Sequence, residues 1–194
     1  MFDNDILASR LYAICLAISK MMYLTILFII FSLPLITVGA SLTALIATIR
    51  QPEYKIFKIF WNNFRRNFLR SLIVLIFTGF TIMFLVQVWD FIGNMPAGNI
   101  IYFFIFIFLV VYNLNAYLLV SILEKYNITF FRQVFFFTLG TFYKTFFIPL
   151  IAAGLAVVSP IVGGTPLLFM SISIVLTIYV KMLNKDLKIV KDYL

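Results

Sequence analysis

The sequence predicts an all-α, polytopic membrane protein, with about five transmembrane helices, two amphipathic interfacial helices and a weak internal repeat. Three observations predict it. The chain is 64% hydrophobic and 11% charged, against roughly 45–50% and 25% in soluble domains. Its uncharged runs are long enough to cross a bilayer. Its basic residues collect between those runs, where membrane proteins hold cytoplasmic Lys and Arg.

The elements follow in order along the chain. Leu7, Leu11, Ile14 and Ile18 recur at helical spacing, which predicts an interfacial helix over Ile6–Ser19. Met21–Ile49 then runs 29 residues without a charge. As one straight helix it would measure about 43 Å, too long for one untilted crossing. Pro34 removes a backbone donor inside it, and Gly39 tolerates unusual dihedrals. One broken, tilted span, with the N-terminus outside, is the leading expectation and gives about five spans. A re-entrant or double crossing is the alternative; it puts the N-terminus inside and allows about six.

A basic aromatic segment follows, carrying Arg50, Lys55, Lys58, Arg65, Arg66 and Arg70. Phe57, Phe60, Trp61, Phe64 and Phe68 form one helical stripe, and Lys58, Asn62, Arg65 and Arg66 lie mostly away from it. Such a helix is expected at the membrane surface, with rings at the acyl boundary and cations on anionic headgroups. Ser71–Trp89 gives a 19-residue span and Ile100–Ile122 a 23-residue one. Thr145–Val180 is 36 residues without a charge, about 54 Å as one helix. Pro160, Gly163, Gly164 and Pro166 are expected to break it into a hairpin of two short spans. Lys125, Arg132 and Lys144 precede this run, and Lys181, Lys185, Lys188 and Lys191 follow it. With the first basic segment they make thirteen cations on one side of the topology. The opposite loops, Asp90–Asn99 and Ser159–Pro166, contain no Lys or Arg. The expectation is a multi-pass protein of a bacterial cell membrane with a cytoplasmic C-terminus.

The repeat rests on an offset of 74. Phe57-Lys58-Ile59-Phe60-Trp61 aligns with Phe131-Arg132-Gln133-Val134-Phe135, and Phe68-Leu69-Arg70-Ser71 with Phe142-Tyr143-Lys144-Thr145. The unit is a span, a basic interfacial helix and a span, at about 21–89 and 100–158. The whole chain, 1–194, reads as one membrane domain.

The composition excludes several chemistries. The chain has no histidine and a single cysteine, Cys15, so it offers no zinc cluster, His-activated nucleophile or intrachain disulfide. None of its seven acidic residues falls inside an expected span, which argues against an autonomous ion-coupled carrier. No phosphate-binding glycine loop is present, no cofactor is implied, and the charge of +8 belongs to a membrane surface rather than to nucleic acid.

Two sets of residues remain. Pro34, Thr37, Gly39, Ser41, Thr43, Asn113 and Asn115 mark a helix break and a polar patch within the spans. They either satisfy backbone groups and bind helices together, or line a cavity for a neutral hydroxylated solute. Lys58, Trp61, Arg65, Arg66, Arg70, Arg132 and Lys144 are candidate contacts to lipid or to a partner subunit. Ala40 and Ala44, like Ala13 and Ala17, are spaced for close helix approach.

The block Leu33-Pro34-Leu35-Ile36-Thr37-Val38-Gly39-Ala40-Ser41, with Thr43-Ala44-Leu45 after it, resembles the N-terminal signature of the YesL-like family. Phe60, Asn67, Phe68, Arg70 and Ser71 fit that family's aromatic-basic segment. The family comprises uncharacterised integral membrane proteins of Gram-positive bacteria that accompany carbohydrate-uptake and carbohydrate-degrading systems. The resemblance implies a non-enzymatic accessory membrane protein with sugar-transporter subunits as partners, and it carries over no site residues. The alternative is a small-molecule-binding or permease subunit, for a vitamin or a sugar. The oligomeric state is left open.

Overall fold

The structure is a computed structural model that describes residues 2–51, 55–92, 98–123 and 129–192. Lys125 and residues 93–97 of the Asp90–Asn99 loop lie outside these residues. The side chains of 2–11, 13–14, 159–170, 185 and 188–192 also fall outside the description. Every element is helical: α1 (Phe2–Ser32), a 3-10 turn (Leu35–Thr37), α2 (Val38–Ile49), α3 (Ile56–Ile92), α4 (Gly98–Ile122), α5 (Phe130–Thr145) and α6 (Phe147–Asp192). The expected separate N-terminal surface helix is instead the start of α1, which runs unbroken for 31 residues.

The first apolar run is a hairpin, not a broken span. Lys20 Nζ donates to the Gln51 carbonyl at 2.8 Å. Thirty-one residues of one straight helix would hold those positions about 46 Å apart. The chain therefore turns back at Leu33–Thr37, and α2 returns beside α1. Pro34 supplies the turn: its extended backbone (ψ 123°) ends α1, and its missing N–H keeps the helix from resuming there. The leading expectation of one broken span through this run is corrected here, and the geometry is that of the re-entrant or double-crossing alternative.

α2 sits at the centre of the bundle and packs against α1, α3, α4 and α6. Its small side chains allow this. Gly39, Ala40, Ser41, Thr43, Ala44 and Ala47 are all buried. A Cβ at Gly39 would lie 2.9 Å from the Ser71 carbonyl oxygen and 3.2 Å from Tyr117 Cε1. α3 and α4 thus approach α2 at a separation that only glycine fits at this point.

α3 also departs from expectation. The basic segment is not a separate surface helix but the first turns of a 37-residue helix. Nothing between Ile56 and Ser71 breaks it, since that interval holds neither Gly nor Pro. At about 55 Å, α3 is nearly twice the hydrocarbon thickness. The uncharged Ser71–Trp89 part accounts for about 28 Å, and the basic part extends roughly 22 Å beyond it. The second basic segment does form its own helix, α5. It ends at Thr145 because Pro149 cannot donate to the Thr145 carbonyl and its ring crowds that group. α5 and the first part of α6 meet at 57°.

α6 is helical throughout but is not a straight rod. Lys144, just before it, pairs with Asp186 at 2.8 Å. Thirty-nine residues of straight helix from Phe147 would put Asp186 about 58 Å away. The stretch therefore doubles back between Ile148 and Asp186, the interval that holds Pro160, Gly163, Gly164 and Pro166.

Among the described residues, three helical segments are long and apolar enough to cross a membrane: Cys15–Ser32, Ile56–Ile92 and Gly98–Ile122. The bent pair Phe130–Thr145 and Phe147–Val158 makes a fourth if it counts as one crossing. The architecture is all-α and polytopic, with fewer candidate spans than expected. Phe80, Phe84, Phe91, Ile100 and Phe104 are exposed, as lipid-facing side chains would be.

Gly39→Ala is expected to lower thermal stability in detergent by about 1–3 kcal/mol through overpacking. Gly79, whose added Cβ would meet nothing within 4 Å, provides the control. Gly79→Ala should leave the melting temperature unchanged or raise it, since it removes backbone entropy from a helix interior.

Candidate functional site

The polar residues of the spans resolve into three internal clusters. In the first, the Thr78 hydroxyl lies 2.9 Å from Asn113 Oδ1 and 3.1 Å from the Tyr117 hydroxyl. Asn113 Nδ2 donates to the Leu109 carbonyl at 2.8 Å. In the second, Tyr179 donates to Asn115 Oδ1 at 2.6 Å, and Asn115 Nδ2 donates to Thr138 Oγ1 at 3.1 Å. This cluster joins α4, α5 and α6, and all three side chains are fully buried. In the third, Thr25 and Ser173 share a 2.6 Å hydrogen bond between α1 and α6. Thr25 donates to the Met21 carbonyl, so Ser173 is the donor between the helices.

The residues expected around the break divide. Pro34 is exposed at the hairpin tip. Thr37 Oγ1 lies 2.6 Å from both the Phe31 and the Pro34 carbonyls, and the Thr37 N–H donates to the Pro34 carbonyl at 2.8 Å, so this residue serves the carbonyls of the turn. Ser41 and Thr43 are buried and donate to their own helix, at the Val38 and Ala40 carbonyls. Asn113 and Asn115 are two residues apart and serve different clusters.

The basic residues divide as well. Arg70 Nη1 donates to the Leu123 carbonyl at 3.1 Å and so ties α3 to the end of α4. Lys144 is bound to both Asp186 oxygens. Trp61 packs on Phe31, with ring centroids 5.5 Å apart, alongside Phe60 and Phe64. Arg65 and Arg132 are exposed.

Lys58 and Arg66 come together. With Gln51, Lys55, Ile59, Asn62 and Asn63 they line a cavity of about 430 Å3 at the start of α3. Helical geometry makes this possible, because 55, 58, 59, 62, 63 and 66 share one face. The walls are held in place. Asn63 is buried and donates to the Ile59 carbonyl at 2.8 Å. Its Oδ1 accepts from Arg66 Nη2 at 3.1 Å. Lys20 fixes the backbone at Gln51 from α1. Beside it, burial lowers the pKa of the Arg50 guanidinium from its ordinary value, the mark of a partly desolvated cation. One turn beyond Asn63, Asn67 is fully buried, and neither end of its amide has a hydrogen-bond partner among the described residues.

The sequence reading missed Gln51, Lys55, Asn62 and Asn63 as site residues, together with Lys20, Thr78 and Tyr179 as partners. A signal for part of this was present. Asn63 and Asn67 stand four apart, in register with Phe60, Phe64 and Ser71, so two amides interrupt a face that is otherwise apolar or small. Nothing in the sequence pairs Lys20 with Gln51.

Residues 21–90 match the model of a family described as a protein of unknown function, DUF624. The matched stretch covers the second part of α1, the turn, α2 and nearly all of α3, and so contains the cavity. No curated protein and no solved structure matches the chain.

Two substitutions should move stability in opposite directions. Tyr179→Phe leaves the buried Asn115 oxygen without its donor and should destabilise by about 1–3 kcal/mol. Asn67→Val, the branched apolar residue nearer to it in size, removes an amide that has no hydrogen-bond partner among the described residues. It should raise the detergent melting temperature, because an unsatisfied buried polar group costs about the same amount.

Proposed function

We propose that this protein is a non-enzymatic accessory subunit of a membrane assembly. The observation that carries this reading is the internal use of the polar groups within the spans. Thr78, Asn113 and Tyr117 bond to one another, as do Asn115, Thr138 and Tyr179, and Asn113 Nδ2 and Thr78 also bond to carbonyls of their own helices. A solute-binding subunit needs some of these groups directed at a ligand. An accessory subunit needs them to hold its own helices together. The hairpin tip adds to the argument. Leu33 and Leu35 are 76% and 84% exposed, an apolar surface that favours lipid or another protein's spans.

The partner is a finer proposal. The YesL-like resemblance of Leu33–Ser41 is consistent with the family match over residues 21–90, and it points to carbohydrate-import subunits. The same reading places the cationic end of α3 and the C-terminus in the cytoplasm. Co-purification in mild detergent from the native host, grown with and without complex polysaccharide, tests it. Stoichiometric recovery of sugar-transporter subunits is the expected result. Recovery of the chain alone, with saturable binding of a neutral solute that Asn113→Leu abolishes, would instead establish a solute-binding subunit.

A further inference from the structure

We infer that the cavity at the start of α3 is a binding site for a phosphate-bearing anion. Three cations, Lys55, Lys58 and Arg66, and three amides, Gln51, Asn62 and Asn63, face one space of about 430 Å3. No carboxylate stands among its described lining residues. Glu53, the acidic residue nearest in sequence, lies outside the described residues; a phosphate-bearing anion would interact favourably with all three cations at once. Phosphate suits this donor set. Its oxygens accept a planar fork from Arg66 and point-charge contacts from Lys55 and Lys58. The cavity lies at the start of α3, where the positive end of the helix dipole favours an anion.

The site is also built rather than merely charged. Arg66 is steered by Asn63, and Asn63 is fixed by the Ile59 carbonyl. Lys20 anchors the Gln51 backbone. Behind the lining, one turn along the same face, Asn67 is a fully buried amide with no hydrogen-bond partner among the described residues. Side chains on a helix lean toward its N-terminus, so Asn67 leans toward the turn that carries Asn63. The volume exceeds what bare phosphate needs and falls within the range of about 300–1,000 Å3 for small organic ligands. The ligand is therefore a phosphate monoester or diester with a substituent, and two sources supply that chemistry: a lipid headgroup, or a soluble phosphorylated molecule. The inference does not depend on which membrane partner the protein serves.

The test uses the full chain in nanodiscs. Inorganic phosphate and glycerol 3-phosphate are titrated by calorimetry in neutral digalactosyldiacylglycerol discs, whose lipid carries no phosphate. Retention of phosphatidylglycerol is counted by native mass spectrometry. Lys58→Gln/Arg66→Gln is compared with wild type and with Arg132→Gln, an exposed cation away from the cavity. Lys55→Gln serves if the double variant does not fold. One saturable site per chain is expected, weakened about 10- to 100-fold in the double variant and unchanged in Arg132→Gln. Saturation by the soluble phosphates in neutral discs identifies a soluble ligand, and retention of phosphatidylglycerol alone identifies a headgroup. Absence of saturable binding to any probe overturns the proposal, as does equal binding by the double variant.

Discussion

The close approach of α2 to its neighbours is the constraint on which the rest depends. A 12-residue helix is too short to cross a bilayer, at about 18 Å. It lies at the centre because its face is made of Gly, Ala, Ser and Thr. Association of helices in lipid relies on dispersion and shape rather than on the hydrophobic effect, so the distance of approach decides the energy. With the Ser71 carbonyl only 2.9 Å from where a Gly39 Cβ would sit, little larger could take that place. Once α2 is seated, α1 must return beside it, and the cavity forms where α2 leaves for α3.

What was legible in the sequence was what hydropathy and charge encode. The all-α class, the apolar runs and the basic segments between them all follow from the spacing of charges. The direction of the chain through Met21–Ile49 was not legible. Pro34 and Gly39 mark a break, but a kinked span and a hairpin carry the same local signal. Only the bond between Lys20 and Gln51 decides between them, and it joins residues 31 apart. The same limit applies to α3. The sequence marks a change from basic to uncharged at Ser71, but a change in polarity does not end a helix when no Gly or Pro accompanies it.

Positions 74 apart, aligned in sequence, can be compared in burial. Phe60 and Val134, Phe64 and Thr138, Ser71 and Thr145, and Val74 and Ile148 are buried in pairs. Arg70 and Lys144 also correspond, and each bonds across to another segment. The halves differ where proline differs. Pro149 stands opposite Leu75, so α5 and α6 bend where α3 runs on. Pro34 stands opposite Phe108, so α1 and α2 fold back where α4 runs straight. Of the candidate residues, the amides of the spans belong to helix packing, whereas Lys58 and Arg66 belong to a cavity whose other walls the sequence did not single out.

The hairpin is the central claim, and one distance tests it most directly. Spin labels at Ser19→Cys and Gln51→Cys, in a Cys15→Ser background that leaves Lys20 intact, report the separation of the ends of α1 and α2 in nanodiscs. The hairpin predicts a distance under about 25 Å, whereas a single broken span would hold the labels about 45 Å or more apart. A distribution centred at the longer value would contradict the account and return the first apolar run to a single crossing.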